Sequence, residues 1–263
     1  MNPTDFGTFP NELRKITENC TWEQVTIGES GAFTYKLTNE GLENKYLKIM
    51  PRKLKESLKR EADLMQWLQG KLPVPKVLFF AEDTEYEYLL MTEVNGIYAC
   101  DPSFNKDMPK LVRLLAEGLR MIHSIDIKDC PFDRTLNIKL KEAEYRTVNG
   151  LVDEYDFDAI RKGMKAADLL QQLYDLRPAC EDPVFTHGDY CLPNILISDG
   201  KISGFIDWGR GGIADRYQDL ALVARSLEHN FDVKWVPLLF QEYGIDDIDY
   251  SKVEYYKLLD EFF

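Results

Sequence analysis

THGDYCLPNILISDGKISGFIDWG, residues 186–209, sets two carboxylates and one amide at the intervals that phosphoryl transfer requires. Asp189 and Asn194 stand in a D-x-x-x-x-N spacing, in which the acid takes a hydroxyl proton and the amide holds a metal ion. Asp207 closes the apolar run Ile202 to Ile206, just ahead of Trp208 and Gly209, in the place of a second metal-holding acid. Between them, the β-rich runs Ile195 to Ile197 and Ile202 to Ile206 flank Ser198, Asp199, Gly200 and Lys201, and Asp-Gly is a strong hairpin signal. Such a hairpin brings Asn194, at the start of one strand, toward Asp207, at the end of the other, so that both reach the same metal ions. Gly-Asp by itself marks ordinary turns, and His187 beside it reads as a hydrogen-bonded scaffold residue. The combined spacing is what singles out a metal–nucleotide site.

Working outward, residues 21 to 90 are strand-rich with one helix, and the chain from about residue 109 is mainly helical apart from the hairpin. This predicts an α+β chain of two lobes joined near Val94-Asn95-Gly96. Residues 1–94 form a small β-rich nucleotide-binding lobe, and residues 95–263 a larger, mostly helical lobe for catalysis and substrate binding. In KYLKIM, period-two alternation sets Tyr46, Lys48 and Met50 on one strand face. If that face looks into a cleft, Lys48 contacts nucleotide phosphates and Tyr46 lays its ring on a base; the plain alternative is a snorkelling lysine. Glu61 borders the helical stripe Leu54, Leu58, Ala62, Met65 and Leu68, and a carboxylate there can pair with Lys48. The turn from Ile27 to Ala32, with Gly28 and Gly31, can fold over phosphates or simply join two strands.

In the second lobe, the helix from Pro109 ends at His123, read as a C-terminal cap. Residues 136–175 read as two or three helices, a further helix starts near Asp215, and the last opens at Ser251. Asp153, Glu154, Asp156 and Asp158 form an acidic patch that either binds a polycation or is a solvated loop.

Composition narrows the partners. With 32 Lys and Arg against 45 Asp and Glu, the net charge of −13 argues against nucleic acid or an anionic membrane. It suits a cationic substrate, or serves solubility alone. No apolar run approaches the ~20 residues of a membrane span, and the N-terminus lacks a secretory plan, so a cytoplasmic protein is expected. Five scattered cysteines without a C-x-x-C pair point to neither a disulfide framework nor a zinc site.

With these residues in place, the chain resembles the aminoglycoside 3′-phosphotransferase family, antibiotic kinases of protein-kinase-like fold. HGDYCLPNI, GFIDWGRGGIADRYQDLALVARSL, MIHSIDIKDCPF, LPVPKVL and LLDEFF carry the likeness over nearly the whole length. The resemblance implies ATP as donor, Asp189 as the catalytic acid, Asn194 and Asp207 as magnesium (Mg2+) ligands, and Lys48 with Glu61 as the phosphate-binding pair. It implies that Ser30 meets the triphosphate, Tyr46 stacks on adenine, and Glu93 and Val94 bond adenine through their backbone. For the antibiotic it points to Arg210, Arg225, Glu261 and the carboxylate of Phe263, with Asp156 and Asp158 as the nearest match to an acidic substrate loop. The implied activity is phosphorylation of an aminoglycoside 3′-hydroxyl, conferring resistance, by a monomer or weak homodimer. The competing reading is a kinase of the same fold acting on choline, another antibiotic or a sugar alcohol. A protein kinase is disfavoured, because a helix follows Asp207 within about ten residues and no A-P-E segment is present. A non-catalytic relative is disfavoured because all five polar site residues are retained.

Overall fold

The computed structural model describes residues 9–25, 31–54 and 57–263. Its strands are β1 (Thr21–Val25), β2 (Phe33–Thr38), β3 (Lys45–Pro51), β4 (Val77–Glu82), β5 (Tyr86–Thr92), β6 (Ile97–Tyr98), β7 (Pro183–Thr186), β8 (Ile195–Ser198), β9 (Lys201–Phe205) and β10 (Gly212–Asp215). Its helices are α1 (Asn11–Ile16), α2 (Leu58–Leu68), α3 (Met108–His123), α4 (Leu136–Val148), α5 (Ala166–Asp175), α6 (Tyr217–Asn230), α7 (Val236–Tyr243) and α8 (Tyr250–Asp260). The chain divides into two compact units, Met1–Tyr98 with Ile195–Gly209, and Ala99–Asn194 with Arg210–Phe263. The motif hairpin thus groups with the sheet-rich unit, although it lies far along the chain.

In the first unit, β1 to β5 form an antiparallel sheet in the order β1-β2-β3-β5-β4. Alternation sorts its two faces. Tyr35, Leu37, Leu47, Ile49, Tyr88 and Leu90 bury one face together with Leu13 of α1, a helix for which the sequence gives little periodic signal. The opposite face meets α2, where Leu58, Ala62, Met65 and Leu68 are buried as their spacing predicts. In the same unit β6, β8 and β9 make a three-stranded sheet, turned at Asp199 and Gly200, both in the left-handed region (φ 52° and 72°). The Asp-Gly pair supplies that backbone as a hairpin requires.

The second unit is helical around the β7–β10 ribbon. Leu111, Leu115, Leu119 and Ile122 give α3 its buried stripe, and α6 is buried from Leu220 to Ala224. The segment 136–175 resolves into two helices, α4 and α5. The last helix starts at Tyr250, one residue before the expected opening at Ser251, and its cap is Asp249, whose carboxylate accepts from the amides of Ser251 and Lys252 at 3.0 and 3.1 Å. A carboxylate can accept both bonds and also suits the positive end of the helix.

Gly204 of β9 lies tight against the segments around residues 73 and 94. A Cβ there would sit 2.6 Å from Val94 Cγ1 and 2.8 Å from the Pro73 carbonyl, while the Phe205 amide donates to that same carbonyl at 3.0 Å. Gly204→Ala is therefore expected to destabilise the protein by about 1–3 kcal/mol through overpacking. Chemical denaturation checks this, and an unchanged midpoint would contradict it.

Candidate active site

Lys48 stands in mid-β3, opposite Leu89 of β5. Its ammonium carries three hydrogens, and it bonds Glu61 Oε1 at 2.8 Å, Glu61 Oε2 at 3.0 Å and Asp207 Oδ1 at 3.0 Å. Lys48 and Glu61 are exposed to only 9% and 2%. Burial works against the charged ammonium, yet Asp207 and Glu61 outweigh it and hold the pKa above the ordinary lysine value. Burial, and then the Asp207 charge, lift the Glu61 carboxyl above its usual range against the pull of Lys48. Two carboxylates around one ammonium favour a further cation. Asp207 itself has φ 63°, a left-handed backbone uncommon outside glycine. The turn is held by Lys48 on the side chain and, one residue on, by the Trp208 indole N–H donating to the Phe205 carbonyl at 3.1 Å.

Farther along β3, burial and then the neighbouring Tyr98 and Glu93 push the Tyr46 hydroxyl pKa up, so it stays protonated. The carboxylate of Glu93 accepts from Lys36 Nζ and Asn44 Nδ2, both at 2.7 Å, and its amide donates to the Asn44 carbonyl at 3.2 Å. Glu93 and Val94, with Pro73, Val74, Asn95, Ser198 and Ser203, line a cavity of about 340 Å³. Ser30 lies outside the described residues, as does most of the Ile27 to Ala32 turn.

In the second unit, Asp189 follows β7 through His187 and Gly188. Gly188 has φ 81° and lies so close to the Arg210 carbonyl that a Cβ has no room. This turn is held by Asp219, fully buried in the first turn of α6, which accepts from the amides of His187 at 2.7 Å and Gly188 at 2.8 Å. His123 supports it rather than capping α3 as predicted: Nε2 lies 3.1 Å from Asp219, and Nδ1 2.7 Å from the Tyr243 hydroxyl. A buried carboxylate needs such partners, and α6 and α7 bring them to the histidine. Burial alone would raise the Asp219 pKa; His123, His187 and the turn amide hold it below the usual value. Asn194 Nδ2 donates to both the carbonyl and Oδ2 of Asp189, each at 3.1 Å. The Leu192 amide donates to Ser226 Oγ at 2.9 Å, so α6 grips the loop at a second point. With its nitrogen turned to Asp189, Asn194 presents its amide oxygen on the other side. An amide oxygen and the Asp207 carboxylate are hard donors of the kind magnesium selects.

A network of ion pairs and one amide bond joins four of the six drug-contacting residues that the resemblance implied. Arg210 pairs with Asp260 at 3.1 Å, and Arg225 with Asp260 and, at 3.3 Å, with Glu261. Glu261 accepts from the Asp158 amide at 3.0 Å, and Arg161 pairs with Asp158. Burial raises the Glu261 pKa despite that amide bond. Asp156 is exposed and outside this network among the described residues, and the Phe263 ring lies 5.9 Å from the Arg146 guanidinium. Sequence reasoning missed Asp219, Asp260 and Arg161. An acid inside the apolar helical run YQDLALVA was the available signal for Asp219.

A buried sheet-held lysine with two carboxylates in one unit, and an Asp–Asn loop held by α6 in the other, are features that phosphotransferases use. Residues 21–256 match the model of the phosphotransferase enzyme family. The chain is 40% identical over 256 residues to an aminoglycoside 3′-phosphotransferase of Niallia circulans, covering 97% of each chain. It is also 40% identical to one of Enterococcus faecalis, covering 96% of this chain and 97% of that one. The chain belongs to the aminoglycoside 3′-phosphotransferase family. In three dimensions it is similar to the crystal structure of an aminoglycoside 3′-phosphotransferase of type VIII, with TM-score 0.88, 34% identity and coverage of 96% and 97%. It is also similar to an aminoglycoside phosphotransferase of Streptomyces rimosus in complex with ADP and streptomycin, with TM-score 0.83, 27% identity and coverage of 100% and 98%. The α+β, kinase-like fold expected from sequence is thereby established.

Lys139, on α4, is exposed to only 3%, and its ammonium makes no hydrogen bond or ion pair among the described residues. Burial, and then Arg134, push its pKa down to about 7 from 10.5. The unfolded chain therefore holds the extra proton between these two values, and stability should climb as pH rises from about 7 to about 10.5. Lys139→Met is expected to melt higher than wild type at pH 7 and to flatten that climb. Thermal melts across this range check it; parallel profiles for the two proteins would contradict it.

Proposed function

We propose that the residues assembled above carry out ATP-dependent phosphorylation of the 3′-hydroxyl of aminoglycoside antibiotics, which confers resistance. The observation that carries this reading is the buried Lys48 ammonium held by Glu61 and Asp207, in a chain of this family. Lys48 neutralises nucleotide phosphate charge and Glu61 keeps it aimed. Tyr46 stacks on adenine, Glu93 and Val94 meet its edge through their backbone, and Ser30 meets the triphosphate. Residues 1–94 bind the nucleotide and residues 95–263 supply catalysis and drug binding, with Asp207 reaching the nucleotide side from the hairpin.

The acceptor oxygen forms a bond to the γ-phosphorus while the bond from that phosphorus to the bridging oxygen of ADP breaks. Such a transition state is loose, so most of the work is positioning and charge neutralisation. Asp189 orients the hydroxyl and takes its proton late. The Asn194 bond to Asp189 Oδ2 leaves the other carboxylate oxygen for that task. Asn194 and Asp207 would hold magnesium, which supplies neutralisation of charge on the triphosphate.

An aminoglycoside brings several ammonium groups, each of which must meet an acid or stay hydrated. Exposed pairs contribute only ~0.2–1 kcal/mol each, so recognition sums over many. Asp156, Asp158 and Glu261 supply acids, while Arg210 and Arg225 orient those on α8 and just beyond it. Among the described residues no helix is long and apolar enough to cross a membrane. A cytoplasmic monomer or weak homodimer, where ATP is at hand, fits this chemistry.

Asp189→Ala is expected to lose about 10²–10⁴-fold in turnover while ATP affinity by calorimetry stays within about twofold; full activity would refute its role. With Mg-ATP and a panel of aminoglycosides, compounds lacking the 3′-hydroxyl should remain unmodified. Phosphate found on such a compound by mass spectrometry would refute the regiochemistry.

A further inference from the structure

Glu87 is a buried acid that takes no part in the chemistry described above. It sits on β5 opposite Met50, two positions from Leu89, which faces Lys48. Residues two apart on a strand share a face, as do directly opposed residues on paired strands. Glu87 and Lys48 therefore project from the same side of the sheet, the side that meets α2. Glu87 is exposed to only 9%. Its Oε2 accepts from the Leu58 amide at 2.7 Å and the Lys59 amide at 3.3 Å. These are the opening amides of α2, which have no partner inside the helix. The helix's own cap is weaker, since Ser57 Oγ receives the Arg60 amide only at 3.4 Å.

Glu61 lies three residues after Leu58, on the same turn of α2, and its carboxylate returns to Lys48. The first turn of α2 is thus fastened to one sheet face twice, by its backbone to Glu87 and by its side chain to Lys48. A lone Glu61–Lys48 pair would fix the helix at the end of two long side chains. The short bond from a strand carboxylate to helix amides fixes its axial position and rotation as well. The anion also meets the positive end of the helix, which compensates its burial.

We propose that Glu87 is a positioning residue for the phosphate-binding pair, setting the first turn of α2 so that Glu61 meets Lys48 before nucleotide arrives. This rests on the reading of Lys48 as a phosphate-binding residue. The test is a cycle of Glu87→Ala, Glu87→Gln, Glu61→Gln and the double variants, followed by melting temperature, ATP affinity by calorimetry, and KM for ATP and for drug. Glu87→Ala should weaken ATP binding about fivefold, the size of a lost helix cap, with the KM for drug within about twofold of wild type. Glu87→Gln, which keeps one carbonyl acceptor, should fall between. In the Glu61→Gln background either change should alter ATP affinity less than about twofold, because its effect passes through Glu61. Unchanged ATP affinity in a variant that melts lower, or full additivity with Glu61→Gln, would reduce Glu87 to a structural cap. If Glu87→Ala does not fold, the same cycle with Glu87→Gln decides. Calorimetry needs no turnover, so a chain that binds ATP but phosphorylates no aminoglycoside would overturn the proposed function and leave the outcome for Glu87 intact.

Discussion

An ammonium in a buried sheet face is tolerable only when each of its hydrogens finds an acceptor, and the first unit is arranged around meeting that demand for Lys48. Two of its bonds come from Glu61 on α2 and one from Asp207 beyond β9. Those partners arrive 13 and 159 residues later in the chain. A local helix and a distant hairpin are thereby bound to one strand, in the same structural unit. Because two carboxylates share one cation, the cluster keeps a surplus of negative charge. That surplus attracts a further cation, such as a divalent metal, whose charge offsets part of the charge of a polyphosphate. On the proposed reading, the interaction that holds the unit is also the one the nucleotide exploits.

The second unit solves the converse problem with a buried anion. Asp219 has 0% exposure and is met by two turn amides and an imidazole rather than by an arginine. Backbone donors cannot rotate away as a side chain can. A carboxylate that binds two successive amides therefore dictates the path of the His187–Gly188 turn, and with it the position at which Asp189 leaves β7. Gly188 is the complement of that restraint, since the Arg210 carbonyl occupies the space where any side chain would begin. Ser226, seven residues after Asp219 and two turns along α6, holds the other end of the loop through Leu192. One helix thus supplies both anchors of the loop that carries Asp189.

What was legible in the sequence was what depends on short-range spacing. The Asp189, Asn194 and Asp207 intervals are a matter of motif spacing and the Asp-Gly hairpin one of turn chemistry, while the face of Lys48 and the apolar stripe of α2 follow from periods of 2 and 3.6 residues. The Lys48–Glu61 pair was readable because Glu61 borders that stripe, and the structure brings the two together. What stayed hidden depends on which element packs on which. Periodicity marks the inner face of α3 but does not say that α6 and α7 bring Asp219 and Tyr243 to His123, so the histidine looked like a cap. Glu87 carries no distinguishing spacing within DTEYEY; its bonds appear only when β5 lies beside β3 and α2 starts against it. The hairpin's grouping with the N-terminal sheet is equally non-local. The choice of Asp249 as helix cap is a local matter, since one oxygen of its carboxylate takes the amides of both Ser251 and Lys252 and the Ser251 hydroxyl donates to it as well.

The acidic character of the chain takes on a more specific meaning at α8 and the chain end. A net charge of −13 attracts any polycation, but long-range attraction is screened beyond a Debye length of ~8 Å at physiological salt and selects among amines poorly. Selection needs carboxylates whose positions are set before the ligand arrives. Asp260 is held between Arg210 and Arg225, Glu261 between Arg225 and the Asp158 amide, and Asp158 by Arg161. Each acid therefore loses little conformational freedom on meeting an ammonium, although the arginines also cancel part of its charge. The arrangement exchanges gross attraction for placement. A ligand then gains by matching the spacing of fixed acids, and adding ammonium groups at other spacings gains it little. On the proposed reading, this is how one terminal helix distinguishes a rigid aminocyclitol antibiotic from a flexible polyamine of equal charge.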